Sequence, residues 1–354
     1  MRIALLSYST KPRGGVVHTL ALAEALAAEG ADVTVWSLGR GGDSGFFRPV
    51  DPAVAVRIVP FPDVAGEDVG ARILRSIDTL RTAFDPGGYD IVHAQDCISA
   101  NAAERVVRTV HHLDSFTTRE LADCHERAIR RPYAHVCVST AVARELRAGW
   151  GIEATVIPNG VDYERFSAAE PDPAWPRRFV LSVGGIEPRK GSLDLLEAYA
   201  RLRQTDPDVQ LVIAGGETLF DYRDYRAAWD KRAAELGVTP VVLGPVSHDA
   251  LPSLVAAADV FAFPSTKEGF GLAAMEALAA GVPVVTRDLP VLREVFGGAA
   301  RFASDPAGLA EQMRAALAEP GALCQSGRTL AASYDWNTAA RAHLSLYSTL
   351  LSRP

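Results

Sequence analysis

Cysteine is scarce in this chain of 354 residues: there are four, and none forms a C-x-x-C pair or another zinc-binding spacing. Cys97 and Cys137 lie in or beside apolar runs and read as small core residues, so no disulfide framework is expected. Basic charge is also short. The 36 Lys and Arg against 43 Asp and Glu leave a net charge of −7, which excludes broad nucleic-acid binding, because that needs a positive surface. Long apolar runs are missing: VTPVVL and LAAGVPVV stop well before the roughly 18 residues of a membrane span. Met1 leads straight into the strand-like RIALLSY with no cleavable signal region in front, so a cytoplasmic protein is expected.

What is present suits a globular α/β protein. Hydrophobic residues make up 48% and charged residues 22%, and the length suggests two domains of common size. Over the first 160 residues, RIALLSY, DVTVWSL, VAVRIV, DIVHAQ, VRTVHH and HVCVS read as strands, alternating with helix-period segments. GGVVHTLALAEALAAEG is a helix closed by Gly30. Such alternation predicts a parallel sheet covered by helices. At VIPNGVDYERFSAAEPDPAWPRR the pattern pauses; four prolines and no period mark an interdomain linker.

The alternation then restarts with FVLSVG, VQLVIAG, VVLG, DVFAFPS and PVVT as strands and helices at about 192–204, 223–236, 249–257 and 272–280. SYDWNTAARAHLSLYSTLL is a last amphipathic helix. The expected architecture is two Rossmann-like, doubly wound parallel-sheet domains facing across a cleft, 1–165 with 337–354 and 166–336. Ligands of such sheets sit outside the carboxyl ends of the strands, so the loops there hold the candidates.

Two of those loops stand out. In GIEPRKGSLDLLEAY, Arg189 and Lys190 precede Gly191 at a helix start, where free amides and the helix dipole already favour an anion. In STKEGFGLAAMEALAAGVPVV, Gly269 and Gly271 allow a tight approach at the next helix start. Glu268 stands in the loop and Glu276 one turn inside, leaning back toward the helix N-terminus. Two carboxylates at different depths of one groove can bind two sets of hydroxyls, as on the ribose and the sugar of a nucleotide sugar. The plain alternatives are a solvated basic turn, and a surface glutamate beside a capping one.

Taken with KPRGGVVHTLALAEAL, VIPNGVD, SVGGIEPRKG, LVIAGG and GPVSHDALPSLVAAADVFAFPS, these strings resemble the retaining glycosyltransferases of the group 1 type, family 4, with the two-domain GT-B fold. The likeness runs through most of the chain. It implies a metal-independent transfer from a nucleotide-diphosphate sugar, of UDP or GDP type, to a small-molecule, glycan or lipid acceptor, with retention of anomeric configuration and no cofactor. It implies that Glu268 contacts the transferred sugar, that Glu276 holds the ribose hydroxyls, and that Arg189 and Lys190 neutralise the leaving diphosphate. The amides of Gly269, Phe270, Gly271 and Leu272 would serve sugar and phosphate, and backbone near Val246 the base. Gly14 and Gly15 correspond to the family's glycine loop, which approaches donor phosphates or acceptor, and His111 to its histidine near the reacting carbon. The final segment resembles the closing helix that crosses back to the first domain.

Some features stay open. His111 is otherwise a packed strand-end histidine, and His112 or Asp114 could take its place. His93, Asp96, His111, His112 and Asp114 have no metal-ligand spacing on one helix, so no metal site is expected. The DPD at Asp206–Asp208 lies in a helix-to-strand turn, away from either predicted site edge. Gly184-Gly185 stands where many relatives carry Gly-Arg, which shifts phosphate load to Arg189. ARILRSIDTLRTAF is a basic amphipathic helix that could touch a membrane or an anionic acceptor; the plainer reading is a solvated face. A nucleotide-sugar 2-epimerase, or a silent nucleotide-sugar binding protein, would share the architecture.

Overall fold

The computed structural model describes residues 1–114, 116, 118–215 and 222–352; Gly216 of the LVIAGG string falls outside them. The chain divides into two compact units, Met1–Gly160 with Trp336 onward, and Val161–Asp335.

The first unit begins with β1 (Arg2–Leu6), α1 (Gly14–Ala28), β2 (Asp32–Arg40), β3 (Val54–Phe61) and α2 (Val69–Ala83). It continues through β4 (Ile91–Ala94), α3 (Cys97–Ala102), β5 (Val107–Val110), α4 (Arg119–Arg130), β6 (Ala134–Cys137), α5 (Thr140–Trp150) and β7 (Thr155–Val156). These strands form one parallel sheet in the order β3-β2-β1-β4-β5-β6-β7. Strands β1, β4 and β5 are almost wholly buried because helices cover both faces, which explains their unbroken apolar runs. Helix ends follow local chemistry: Asp68 and Ser139 cap α2 and α5 through their side chains, and Gly30 leaves α1 at φ +86°.

The second unit holds α6 (Tyr163–Ser167), β8 (Phe179–Val183), α7 (Ser192–Thr205), β9 (Gln210–Ala214), α8 (Arg223–Glu235), β10 (Val241–Gly244) and α9 (Leu251–Ala257). Next come β11 (Val260–Phe263), α10 (Leu272–Ala279), β12 (Val284–Arg287), α11 (Pro290–Phe296), β13 (Arg301–Ala303), α12 (Pro306–Ala318) and α13 (Gly321–Ala332). Its parallel sheet runs β10-β9-β8-β11-β12-β13. The core joins Leu196 and Tyr199 of α7 and Leu309 and Met313 of α12 to Val180, Leu211, Val260 and Val285 of the strands. The order reverses between β8 and β11, the switch point at which such sheets leave a crevice.

The expected linker is not one throughout. Asp162 caps α6, Phe166 is buried, and α6 packs on α9, α10 and α13, so the stretch after Gly160 belongs to the second unit. The division therefore falls at Gly160/Val161 and not at 165/166. A side chain at Gly160 would meet the Trp336 backbone at 2.4 Å, which fixes the start of α14 (Trp336–Leu351) against the first unit's last residues. Helix α14 packs on α1, and its Tyr347 is fully buried in the first unit's core.

Candidate active site

In the second unit, the loop after β8 and the loop after β11 lie side by side, because their strands are neighbours. They are tied by backbone: the amide of Thr266 donates to the carbonyl of Arg189 at 2.8 Å, and its hydroxyl does so at 3.2 Å. Gly191, at φ +63°, lets them approach; a Cβ there would sit 2.2 Å from the Pro264 carbonyl oxygen. Arg287 braces the same point by donating to that oxygen at 2.9 Å.

Three of the expected residues meet across these loops. Lys190 Nζ donates to Glu268 Oε1 at 2.7 Å, and Arg189 Nη1 reaches the same oxygen at 3.3 Å. Arg189 Nη2 also donates to Glu187, at 3.2 Å. Glu187 is buried and was missed in the sequence, where one acidic residue before a proline carries no pattern. The Lys190 stem lies over Gly184, whose φ is +141°.

Beside them, Gly271 enters α10 at φ +96°, with Phe296 and Phe263 rings filling the space a side chain would need. Phe270 turns inward and packs edge-on against Tyr334 at 5.3 Å. The backbone here is close-packed as well: Gly269 and Gly271 are buried, and Leu272 is half-buried. Among the described residues, none of the amides of Gly269, Phe270, Gly271 and Leu272 has a hydrogen-bond acceptor. Four adjacent unpaired amides at a helix start, next to a lysine and an arginine, form an anion cradle.

Glu276 lies partly buried on α10. Burial pushes its carboxyl up to about 7; the Arg165 charge works against the shift and Asp162 adds to it. No donor among the described residues reaches this carboxylate. Arg165 donates to the carbonyl of His248, in the loop after β10 that also carries the partly buried Val246. Arg165 and Asp162 were missed because YERFS reads as linker.

In the first unit, Gly14 and Gly15 open α1 at the end of the loop after β1. His111 follows β5, and its ring lies 3.8 Å from where a Gly15 Cβ would be. Burial drives its pKa well below the usual value, and the neighbouring His18 and Arg108 lower it further, so the ring is neutral at physiological pH. His18 stands edge-on to His111 at 4.7 Å and is held by Asn159 at 2.8 Å. The grouping His93, Asp96, His111, His112 and Asp114 does not converge. His93 is occupied on both nitrogens, by Tyr347 at 2.6 Å and Thr109 at 2.7 Å. Asp96 accepts from the amides of Tyr8 and Ser99, and His112 pairs with Asp114 at 2.9 Å.

One reading changes. Two arginines of α2 are not on a solvated face: Arg72 is half-buried, and Arg75 stacks on Phe61 at 3.8 Å while gripping Glu67; Arg81 is exposed and donates to the Asn101 carbonyl. The DPD keeps its place in a helix-to-strand turn away from the site: Asp206 closes α7 before β9 and pairs with Arg178 at the amino end of the sheet.

The model of the glycosyl transferases group 1 matches residues 167–328, and that of glycosyltransferase family 4 matches 12–165. This chain belongs to the group 1 glycosyltransferases. A glycogen synthase of Mycobacterium tuberculosis is 30% identical over 98% of this chain and 94% of its own length. A D-inositol 3-phosphate glycosyltransferase of Mycolicibacterium vanbaalenii is 32% identical, over 99% and 90%. Among solved structures, sucrose-phosphate synthase from Thermosynechococcus elongatus superposes with a TM-score of 0.81 at 20% identity, covering all of both chains. Anabaena HepE in complex with UDP-glucose gives 0.76 at 20% identity, over 99% of this chain and all of that one. The two parallel-sheet, Rossmann-like units are those of the GT-B fold.

Proposed function

We propose that the protein transfers a sugar from a nucleoside diphosphate sugar, of UDP or GDP type, to an acceptor hydroxyl, with retention of configuration and no resident metal. The observation that carries this is the row of unpaired amides at residues 269–272 beside Lys190, Arg189 and Glu268. The amides and the two cations take the diphosphate, and the backbone near Val246 borders the base. In the free protein both cations neutralise Glu268. A bound diphosphate competes for them and releases the carboxylate toward the sugar's hydroxyls. Glu276, lacking any donor of its own, accepts from the ribose hydroxyls. The relatives support the donor class, since HepE is solved with UDP-glucose.

The leaving diphosphate takes the acceptor's proton on the same face, so no protein nucleophile is required. Neutral His111, beside the glycine loop, contacts the sugar at the reacting centre. His111→Ala is expected to lower turnover roughly 10²-fold while nucleotide affinity stays near that of the wild type. Proton NMR of the product reads the anomer directly. An inverted anomer, or a free altered sugar with no acceptor joined, overturns the proposal.

A further inference from the structure

In the first unit, two arginines stand close together without an ion pair among the described residues. Arg13 stands just before Gly14 and donates from Nη1 to the Tyr8 hydroxyl at 3.0 Å. Arg40, the last residue of β2, donates from Nε to the Tyr8 carbonyl at 3.2 Å and from Nη2 to Ser76 at 2.7 Å. Both guanidinium groups lie against the Tyr8 ring, at 5.8 and 5.3 Å. Neither has a carboxylate within salt-bridge distance among the described residues. Their neighbours do: Arg75 grips Glu67 through two bonds, and Arg48 grips Glu24 in the same way.

Burial lowers the pKa of Arg40, and the like charges of Arg72 and Arg13 lower it further, against the pull of Tyr8 and Asp96. Three of the acids nearby are already committed. Asp43 is held by Thr10 and Lys11, Glu67 by Arg75, and Asp96 by backbone amides. Half-buried arginines with no carboxylate in direct contact are costly to keep charged, and their planar forks match the geometry of phosphate oxygens.

We propose that Arg13 and Arg40, with Tyr8 between them and Arg72 alongside, seat a phosphate ester on the acceptor, so that the acceptor is a phosphorylated polyol or sugar. The placement suits an acceptor: Arg13 adjoins the glycine loop, whose Gly15 faces the His111 ring. It also involves Arg72 of α2, which adds to the field at Arg40. This assignment rests on the transferase reading above.

The test uses the full chain carrying Arg189→Gln and Lys190→Gln, which silences the donor cradle for inorganic phosphate. Titration calorimetry with inorganic phosphate is expected to show binding in this background. Adding Arg40→Gln should weaken it at least roughly tenfold. Arg13→Gln, which among the described residues gives up one side-chain hydrogen bond, to the Tyr8 hydroxyl, should do the same and serves if Arg40→Gln folds poorly. No phosphate binding in the silenced background, or unchanged binding in both arginine variants, overturns the inference. Displacement of phosphate by glucose 6-phosphate but not glucose supports a soluble phosphate ester. Arginine-dependent sedimentation with phosphatidylinositol but not phosphatidylcholine vesicles supports the same chemistry on a lipid headgroup. Phosphate held at this seat with no transfer from any nucleotide sugar would sink the transferase reading alone.

Discussion

Glu276 shows how a carboxylate buried without a donor of its own strains the fold that holds it. Its pKa, pushed up to about 7 from an ordinary 4.5, means that the folded state binds its proton more tightly than the unfolded state. The stability this lends is full below the unfolded value of about 4.5, and it is lost as pH rises through the folded one near 7. At pH 8 the buried charge then costs on the order of 2–3 kcal/mol, so Glu276→Gln should melt higher than the wild type there and alike at pH 4.5. A thermal melt at the two pH values checks this. Ligand binding runs the other way. If only the ionised form accepts the ribose hydroxyls, nucleoside diphosphate affinity falls roughly tenfold from pH 8 to pH 6, and Glu276→Gln removes that part of the dependence.

At the scale of elements, the two site loops depend on glycines placed where a side chain cannot fit. Gly191 combines φ +63° with a 2.2 Å approach to the Pro264 oxygen. Gly191→Ala must both strain the backbone and push the loops apart. A stability loss of about 2 kcal/mol or more is expected, with weakened nucleoside diphosphate binding. A calorimetric melt and a binding isotherm read the two effects, and an unperturbed variant would show that the loops are not clamped here.

These loops were legible in the sequence because glycine, cation and carboxylate cluster at strand-to-helix turns, where backbone geometry dictates residue type. Helix starts at 192 and 272 were legible for the same reason, each entered through a left-handed glycine. What the sequence hid was contact between distant segments. Nothing in YERFS announces that Arg165 comes near Glu276, and nothing in RILRSIDTLR says that Arg75 would fold onto Phe61. The arginines opposite the apolar stripe of α2 read as solvated because periodicity records which face is apolar, not what the other face meets.

Across the whole chain, the two-unit organisation was legible from the alternation and its pause, whereas the position of the break was not. Prolines suggested a linker through residue 178, but Asp162 and Phe166 anchor α6 within the second unit. Helix α14 returns to the first unit by filling its core. Tyr347 there is fully buried and donates or accepts at His93 Nδ1 at 2.6 Å. Tyr347→Phe keeps the ring and leaves that buried nitrogen unpaired, so a loss of about 1–3 kcal/mol is expected. A denaturant titration would show it as a lower midpoint with an unchanged slope.

The central claim is that one carboxylate of the second unit serves the nucleotide and the other the transferred sugar. Titration calorimetry of Glu276→Gln and Glu268→Gln with UDP and GDP, at pH 8, tests it most directly. Glu276→Gln should bind the preferred nucleotide about ten- to a hundredfold more weakly than the wild type, because a charge-assisted acceptor is lost. Glu268→Gln should bind it as well as the wild type or better, because Lys190 and Arg189 no longer pair with that carboxylate, while its turnover falls. Wild-type binding by Glu276→Gln together with lost binding by Glu268→Gln would contradict both assignments.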